Sequence, residues 1–475
     1  MFKLRFSVCL ALMVFLLLPG VAFGADHLHL DGATLGIIWV IPFVCMLLSI
    51  AIMPLAIPHF WEHHFGKISV GWGLAFLIPC GLVFGMDMAL YQAWHALILE
   101  YIPFIILLFA LFTVAGGVRL KGSLSGTPMV NTGILLIGTL LASWMGTTGA
   151  AILFIRPILR ANSHRKYRKH TVVFFIFLVA NVGGSLTPLG DPPLFLGFLK
   201  GVSFFWTTKA LLPLFLFVSA LLLGVYFILD TYLYAKEGKP VPVPAEDEDE
   251  NEKKLGLEGK INLLLLLGIV SAVLASGSFD IGSFVIYHVE IAVQNVSRDV
   301  FLLGIAAFSW WATDKESRFK NGFSWAPIAE VGKLFLGIFL SMIPAIAILK
   351  AGTDGALADV INMVSKDGQP IPAMYFWLTG ALSSFLDNAP TYVVFFNTAG
   401  GDAAVLMNEY YTTLAAISAG AVFMGANTYI GNAPNFMVRS IAEDRGVDMP
   451  SFFGYMLWSG AILIPTFIIV TFLFF

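Results

Sequence analysis

The stretch Asn181-Val-Gly-Gly-Ser-Leu-Thr-Pro-Leu-Gly-Asp-Pro-Pro193 interrupts an apolar segment that runs from residue 171 to residue 200. A second stretch of the same kind, Gly425-Ala-Asn-Thr-Tyr-Ile-Gly-Asn-Ala-Pro434, interrupts the apolar segment 411–443. Glycine and proline break helices, and free backbone at membrane depth is stable only where it lines a cavity or binds something. Both stretches therefore predict discontinuous membrane helices at a binding site.

The rest of the chain has the composition of a membrane protein. Of its 475 residues, 58% are hydrophobic and only 12% are charged, against about 25% charged in soluble proteins. This composition excludes a soluble enzyme, and the net charge of −3 gives no electrostatic surface for nucleic acid. We predict an all-α integral membrane protein of about ten transmembrane helices. Two of them are the interrupted segments, and the other eight are 34–57, 69–86, 102–118, 208–234, 261–278, 298–312, 334–351 and 452–475.

Two further apolar segments are too long for one span and are divided near the middle. Segment 128–160 contains Gly146-Thr-Thr-Gly149, and segment 371–401 contains Asp387-Asn-Ala-Pro390. We interpret both segments as re-entrant hairpins whose tips carry these divisions.

The chain also matches itself when it is shifted by 241 positions. The shift places Gly184–Phe195 on Gly425–Phe436, and it aligns the two hairpin tips as well. We predict two inverted repeats, 26–235 and 261–475, joined by a charged cytoplasmic linker at 236–260. Inverted halves with broken helices are typical of secondary transporters.

The distribution of basic residues predicts the orientation in the membrane. Loops assigned to the cytoplasm contain 20 Lys and Arg, and external loops contain five, as the positive-inside rule requires. Residues 1–25 combine Lys3 and Arg5 with a short apolar run and small residues, which is the layout of a signal peptide. We expect a multi-pass protein of the bacterial inner (cell) membrane.

Asp191 and Asp387 are the two carboxylates inside the interrupted segments and tips. A charged group at membrane depth is unfavourable unless it is paired, hydrated or bound to a cation. We predict sodium and proton binding at both residues, while a helix-capping role is the alternative for each. Neutral oxygen donors surround them in the sequence: Ser143, Thr147, Thr148, Ser185, Thr187, Ser383, Ser384, Asn388, Asn427, Thr428 and Asn432.

These motifs resemble those of the ion transporter superfamily, nearest its NhaD-type sodium:proton antiporters and its ArsB-like members. The resemblance rests on Ser383-Ser-Phe-Leu-Asp-Asn-Ala-Pro-Thr391 and on the breaks at 183–193 and 425–434. It implies a scaffold region, a transport region in which each tip meets the broken helix of its own half, and a homodimer. Superfamily members that carry dicarboxylates have a Ser-Asn-Thr type of tip, which this chain lacks.

We therefore expect a sodium:proton antiporter that works by alternating access, with Asp387 as the principal carrier and Asp191 in support. The transported ligands are sodium ions and protons; we expect no other cofactor and no enzymatic activity. The alternatives are sodium-coupled transport of citrate or a dicarboxylate, and export of arsenite or another oxyanion. We also expect a central cavity to separate each aspartate from the opposite half.

Overall fold

The computed structural model describes residues 30–122, 124–240 and 256–475. The predicted signal peptide and most of the acidic linker segment lie outside the described residues. The described residues are 77% helical, which confirms the predicted all-α membrane fold.

The helices of the N-terminal part are separated by tight turns and by one short strand. They are α1 (Ile41–Ala56), α2 (Pro58–Phe84), α3 (Met86–His95), which continues through a π-helical segment (Ala96–Tyr101) into α4 (Ile102–Ala115), then strand β1 (Arg119–Lys121), α5 (Pro128–Met145), α6 (Thr147–Ala161), α7 (Lys169–Leu178), α8 (Pro192–Leu199) and α9 (Phe204–Lys236).

The C-terminal part begins with strand β2 and contains two short β-hairpins. Its elements are β2 (Gly256–Glu258), α10 (Ile261–Ser278), β3 (Ser283–Ile286), β4 (Val289–Ala292), α11 (Val293–Ala312), α12 (Lys315–Lys320), α13 (Ala326–Ser341), α14 (Ile343–Lys350), α15 (Ala358–Val364), β5 (Ser365–Lys366), β6 (Gln369–Pro370), α16 (Pro372–Phe385), α17 (Asn388–Thr398), α18 (Ala403–Asn408), α19 (Tyr411–Met424), α20 (Ala433–Asp444) and α21 (Phe452–Phe474).

Seven of the described helices are long and apolar enough to cross a membrane, or eight if α13 and α14, which meet at 44°, are one span. The predicted number of ten differs because it includes the two interrupted segments and α11. Helix α11 begins with a polar stretch that contains Arg298 and Asp299, which lowers its hydropathy. Helix α5, which we assigned to a hairpin, is among the seven.

Helices α5 and α6 fold back on each other at Gly146. This residue has φ +80°, a conformation that glycine adopts without steric cost. At the open end of this hairpin, opposite its tip, Asn131 and Asn162 each donate an amide hydrogen to the side-chain oxygen of the other, at 2.9 and 2.8 Å. Helices α16 and α17 fold back at Asp387, which has φ −58°, so this tip does not require glycine.

Each hairpin also packs against a helix of the opposite half. Helix α6 packs against α20, and α17 packs against α8. At the second contact the Tyr392 hydroxyl lies against Gly197, where an added Cβ would come within 2.3 Å of it. The helices that follow the two breaks are therefore held by residues from both halves.

A separate group of helices, α1 to α4 with α10 to α14, packs beside the hairpins; its most extensive contact joins α2 and α13. Strands β1 and β2 pair antiparallel, with Arg119 opposite Glu258. Glu258 also accepts a hydrogen bond from Ser317 Oγ at 2.8 Å. The last residues of the predicted linker 236–260 are thus part of a strand and not of a loose connection.

Candidate functional site

Asp191 is the centre of the polar interior. It precedes α8 and is 1% exposed. Its carboxylate accepts hydrogen bonds from Thr147 Oγ1 at 3.0 Å, Asn388 Nδ2 at 2.5 Å and Asn432 Nδ2 at 3.1 Å. It accepts none from the backbone of α8, so the capping alternative is wrong for this residue.

The charge of Asp191 has no cationic partner in the part of the chain that the structure describes. Within the described ranges, no Lys, Arg or His side chain forms an ion pair or hydrogen bond with Asp191 or with Asp387. Three neutral donors offset only part of the free energy lost when a carboxylate leaves water. The site therefore favours a proton or a cation on this group.

The donors to Asp191 come from both halves of the chain. Thr147 and Asn388 are the first helical residues after the two hairpin tips and lie 241 positions apart, as do Asp191 and Asn432. Because Asn432 donates directly to Asp191, two positions related by the shift are in contact. The expectation that a central cavity separates Asp191 from the opposite half is wrong.

In the first half, the hairpin tip is joined to the break by two of the following hydrogen bonds, and the third lies within the break. Ser143 Oγ donates to the carbonyl oxygen of Gly183 at 2.5 Å. Thr187 Oγ1 donates to the carbonyl oxygen of Ser143 and accepts from the backbone N–H of Leu189 at 3.2 Å. These bonds satisfy backbone groups that the interrupted helix leaves without partners.

The second half makes the same three bonds 241 positions later. Ser384 Oγ donates to the carbonyl oxygen of Met424 at 3.1 Å. Thr428 Oγ1 donates to the carbonyl oxygen of Ser384 and accepts from the backbone N–H of Ile430 at 3.2 Å. The predicted ligands Thr187, Ser384 and Thr428 thus hold each break against its tip.

Ser185 and Thr148, two other predicted ligands, lie apart from the carboxylate. Ser185 Oγ donates to the carbonyl oxygen of Val182 at 2.9 Å, a bond within the same turn. Thr148 follows Thr147 and is half-buried. The structure does not bring either side chain into hydrogen-bond contact with Asp191 in the part of the chain that it describes.

Asp387 caps a helix. The carboxylate accepts a hydrogen bond from the backbone N–H of Ala389 at 3.0 Å, and the residue is half-buried. An acidic side chain at this position satisfies a free N–H and interacts favourably with the helix dipole. The capping alternative therefore describes Asp387, which is the residue that the sequence favoured as principal carrier.

Three buried amide oxygens have no hydrogen-bond donor among the described residues: Asn388 Oδ1 at the second tip, Asn427 Oδ1 at the second break, and Asn397 Oδ1 near the end of α17. The first two concern the site. The amide nitrogen of Asn427 donates to Ser384 Oγ at 2.9 Å, so its oxygen points elsewhere. Buried polar atoms without partners are uncommon, and amide oxygens are ligands for hard cations. The oxygens of Asn388 and Asn427 are available to a cation that binds between tip and break.

Asn181 and Asn435 also belong to the polar interior, although neither was among the ligands predicted from the sequence. Asn181 Nδ2 donates to Asn435 Oδ1 at 2.7 Å, and Asn432 Nδ2 donates to Asn181 Oδ1 at 3.2 Å. Asn435 Nδ2 in turn donates to the carbonyl oxygens of Gly425 and Thr428. The available signal was the spacing: Asn435 follows Asn432 by three residues on a restarting helix, so both side chains face the break.

The long apolar helices, with polar tips and breaks buried between them, define a multi-pass membrane transporter of the ion transporter type. Residues 32–475 match the CitMHS_2 family, which is described as putative citrate transport, and the chain belongs to this family. No curated protein matches the chain.

Proposed function

We propose that this protein is a secondary transporter that exchanges sodium for protons, and that Asp191 is the group that binds either ion. The observation that carries the proposal is that Asp191 is buried, has only neutral donors and receives them from both hairpin tips. Such a carboxylate is stable when it is protonated or when a cation lies beside it. A proton and a sodium ion compete for the same oxygens.

This competition explains exchange. A site that must be neutral or cation-bound to cross a low-dielectric barrier carries one of the two ions in each direction. Asp191 and Thr147 offer oxygen atoms, and Asn388 Oδ1 has no hydrogen-bond donor among the described residues; oxygen ligands of this kind suit a hard cation such as sodium. Asp387 begins the same turn as Asn388 and supplies a second negative charge nearby, so we now assign it the supporting role.

Alternating access needs two structural units that hold the site between them. The three equivalent hydrogen bonds at the 241-residue shift support two related halves. The reciprocal packing of α6 on α20 and of α17 on α8 supports a two-fold relation between these halves. Small movements of either tip would change the donors around Asp191.

A second candidate is sodium-coupled uptake of citrate or a related carboxylate, which the description of the family favours. A cavity of about 590 Å³ lies between the end of α8 and the start of α11 and is lined by Arg298, Ser276 and Asn295, among others. Arg298 Nε donates to Asp299 at 2.8 Å, and its Nη2 has no partner among the described residues. Its Nη1 donates to Asn295 Oδ1 at 3.3 Å and to Ser276 Oγ at 3.5 Å, so Nη2 is the guanidinium nitrogen that would remain for a substrate carboxylate.

The two candidates are separated by transport in proteoliposomes that contain the purified protein and a pH dye. If the protein is an antiporter, external sodium releases internal protons without any organic substrate. If it is a citrate carrier, sodium uptake begins only when citrate is added. Sodium flux that neither a pH gradient nor citrate changes would contradict both candidates.

A further inference from the structure

Three of the nine histidines lie within six residues at the start of α2, in His59-Phe-Trp-Glu-His-His64. Residues separated by three and four positions share one face of a helix, which groups His59, Glu62 and His63. In the structure, one ligand atom from each of these three residues lies within 4.8 Å of the other two, and all three side chains are exposed. The cluster is at the sharp corner where α1 ends at Ala56 and α2 begins at Pro58.

The orientation of His63 is fixed by a backbone hydrogen bond. Its Nδ1–H donates to the carbonyl oxygen of His59 at 2.8 Å, so the lone pair is on Nε2. Histidines that bind metals commonly use one ring nitrogen and donate the other N–H to such an oxygen, which sets the tautomer and the ring position. The His59 and His63 rings have centroids 4.7 Å apart, so nitrogen atoms of both rings can reach one metal ion.

We propose that His59, Glu62 and His63 bind a divalent transition-metal ion of the zinc class, with water completing the coordination. Two imidazoles and one carboxylate are a ligand set that zinc uses when one position stays open to solvent. Imidazole favours zinc, copper and nickel over magnesium and calcium. This site differs from the one at Asp191, which offers oxygen atoms alone, and it does not depend on the proposed antiport.

Binding would connect the first two turns of α2 through the metal. Helix α2 packs along α13, and Lys333 of α13 lies against Gly66, one turn beyond the cluster. An ion that bridges positions 59 and 63 therefore stabilises the end of α2 at the α1–α2 corner. The predicted topology places this corner on the cytoplasmic side.

The test uses full-length protein in detergent with its affinity tag removed, because oligohistidine binds the same metals. Zinc binding is measured by calorimetry, and cobalt binding is measured by its visible absorption. We expect one saturable site, and we expect His59→Ala and His63→Ala each to weaken binding by at least about tenfold, since even the loss of groups around a metal ligand has that effect. Magnesium should not compete.

His64→Ala is the matched control. His64 is the next residue, and its Nδ1 makes the same type of bond, to the carbonyl oxygen of Phe60 at 3.0 Å, but it is outside the cluster. Its removal should leave the affinity unchanged, and all variants should elute and melt like the wild type. Zinc binding that persists in a His59→Ala/His63→Ala double variant, or that His64→Ala weakens equally, would overturn the proposed site.

Discussion

Two fully buried aspartates have opposite surroundings. Asp230, on α9, accepts hydrogen bonds from Arg165 Nη2 and His170 Nε2, both at 2.8 Å, and from Asn131 Nδ2 at 3.0 Å. Asp230 also accepts a hydrogen bond from the Tyr226 hydroxyl at 3.2 Å. Asp191 accepts three hydrogen bonds from described side chains, and all three donors are neutral. Both carboxylates are removed from water, and only one of them has its charge compensated by the protein.

The difference separates a structural acid, Asp230, from Asp191, the acid that we propose to bind the transported ions. Asp230 joins the open end of the first hairpin to α9, and Arg165 also contacts Glu237 at 3.4 Å. A buried pair of this kind holds segments in a fixed arrangement and needs no ligand. Asp191 has no cationic partner among the described residues, and in the proposed mechanism the transported ion supplies the positive charge. The following predictions test this distinction.

Asp191→Asn should abolish sodium-driven proton release while the protein still folds. Asparagine keeps the shape and the contact with Thr147 but cannot bind a proton or hold a negative charge. Proton release in proteoliposomes and the melting temperature in detergent measure the two effects. Activity that survives in this variant would remove Asp191 as the carrier.

Asp230→Asn should leave transport by the folded molecules intact but destabilise the protein by about 3–5 kcal/mol, because Arg165 stays buried without its partner. Thermal unfolding in detergent measures the loss. Replacing both residues by apolar side chains, in Asp230→Leu with Arg165→Met, should recover part of it. A stable Asp230→Asn variant that transports no sodium would break the comparison.

Asn388→Ala and Asn432→Ala should each weaken the apparent sodium affinity by about tenfold, since a hydrogen bond to a charged group contributes about 1.5–3 kcal/mol. Sodium titrations of proton release measure this change. Ser185→Ala is the control, because within the described ranges the Ser185 hydroxyl donates to the carbonyl oxygen of Val182 in its own turn and not to Asp191. An equal effect in the control would mean that any change in the breaks disturbs transport.

Asp387→Asn should have the smallest effect, a change of about threefold or less in the rate of sodium-driven proton release. Asparagine caps helices as well as aspartate does, whereas Asp387→Ala should lower stability by about 1 kcal/mol. Melting curves of both variants measure the contribution of the helix cap to stability, and flux assays measure the contribution of the negative charge to transport. If Asp387→Asn abolishes transport and Asp191→Asn does not, the carrier is Asp387, as the sequence suggested.

Much of the architecture follows from hydropathy and from helix-breaking residues. Apolar runs located the long helices, with Ile261–Ser278 matched at both ends. The polar residues that surround Asp191 were all among the predicted ligands. These residues could be predicted as ligands because they carry hydroxyl or amide groups and lie at the tips and breaks. Polar groups at membrane depth are rare unless they bind something.

The roles within the site could not be predicted. The 241-residue shift shows which positions correspond but not that Asp191 and Asn432 touch. The shift also does not show that the two aspartates accept different hydrogen bonds. Asp191 accepts from side chains that are distant in the sequence, whereas Asp387 accepts from a backbone N–H in its own turn. The pair formed by Asp230 and Arg165 is equally invisible, because 65 residues separate its members and only the folded chain brings them together.

The contact between Asp191 and Asn432 has an evolutionary consequence. If the two halves descend from one duplicated gene, these positions began as identical residues that faced each other. Two aspartates there would repel, and two asparagines would leave no charge for an ion. A mixed pair gives a single negative charge at the meeting point without a proton shared between two carboxylates, and one base change converts either codon into the other. Fusion of the copies into one chain allows such a difference, which a dimer of identical subunits can never have.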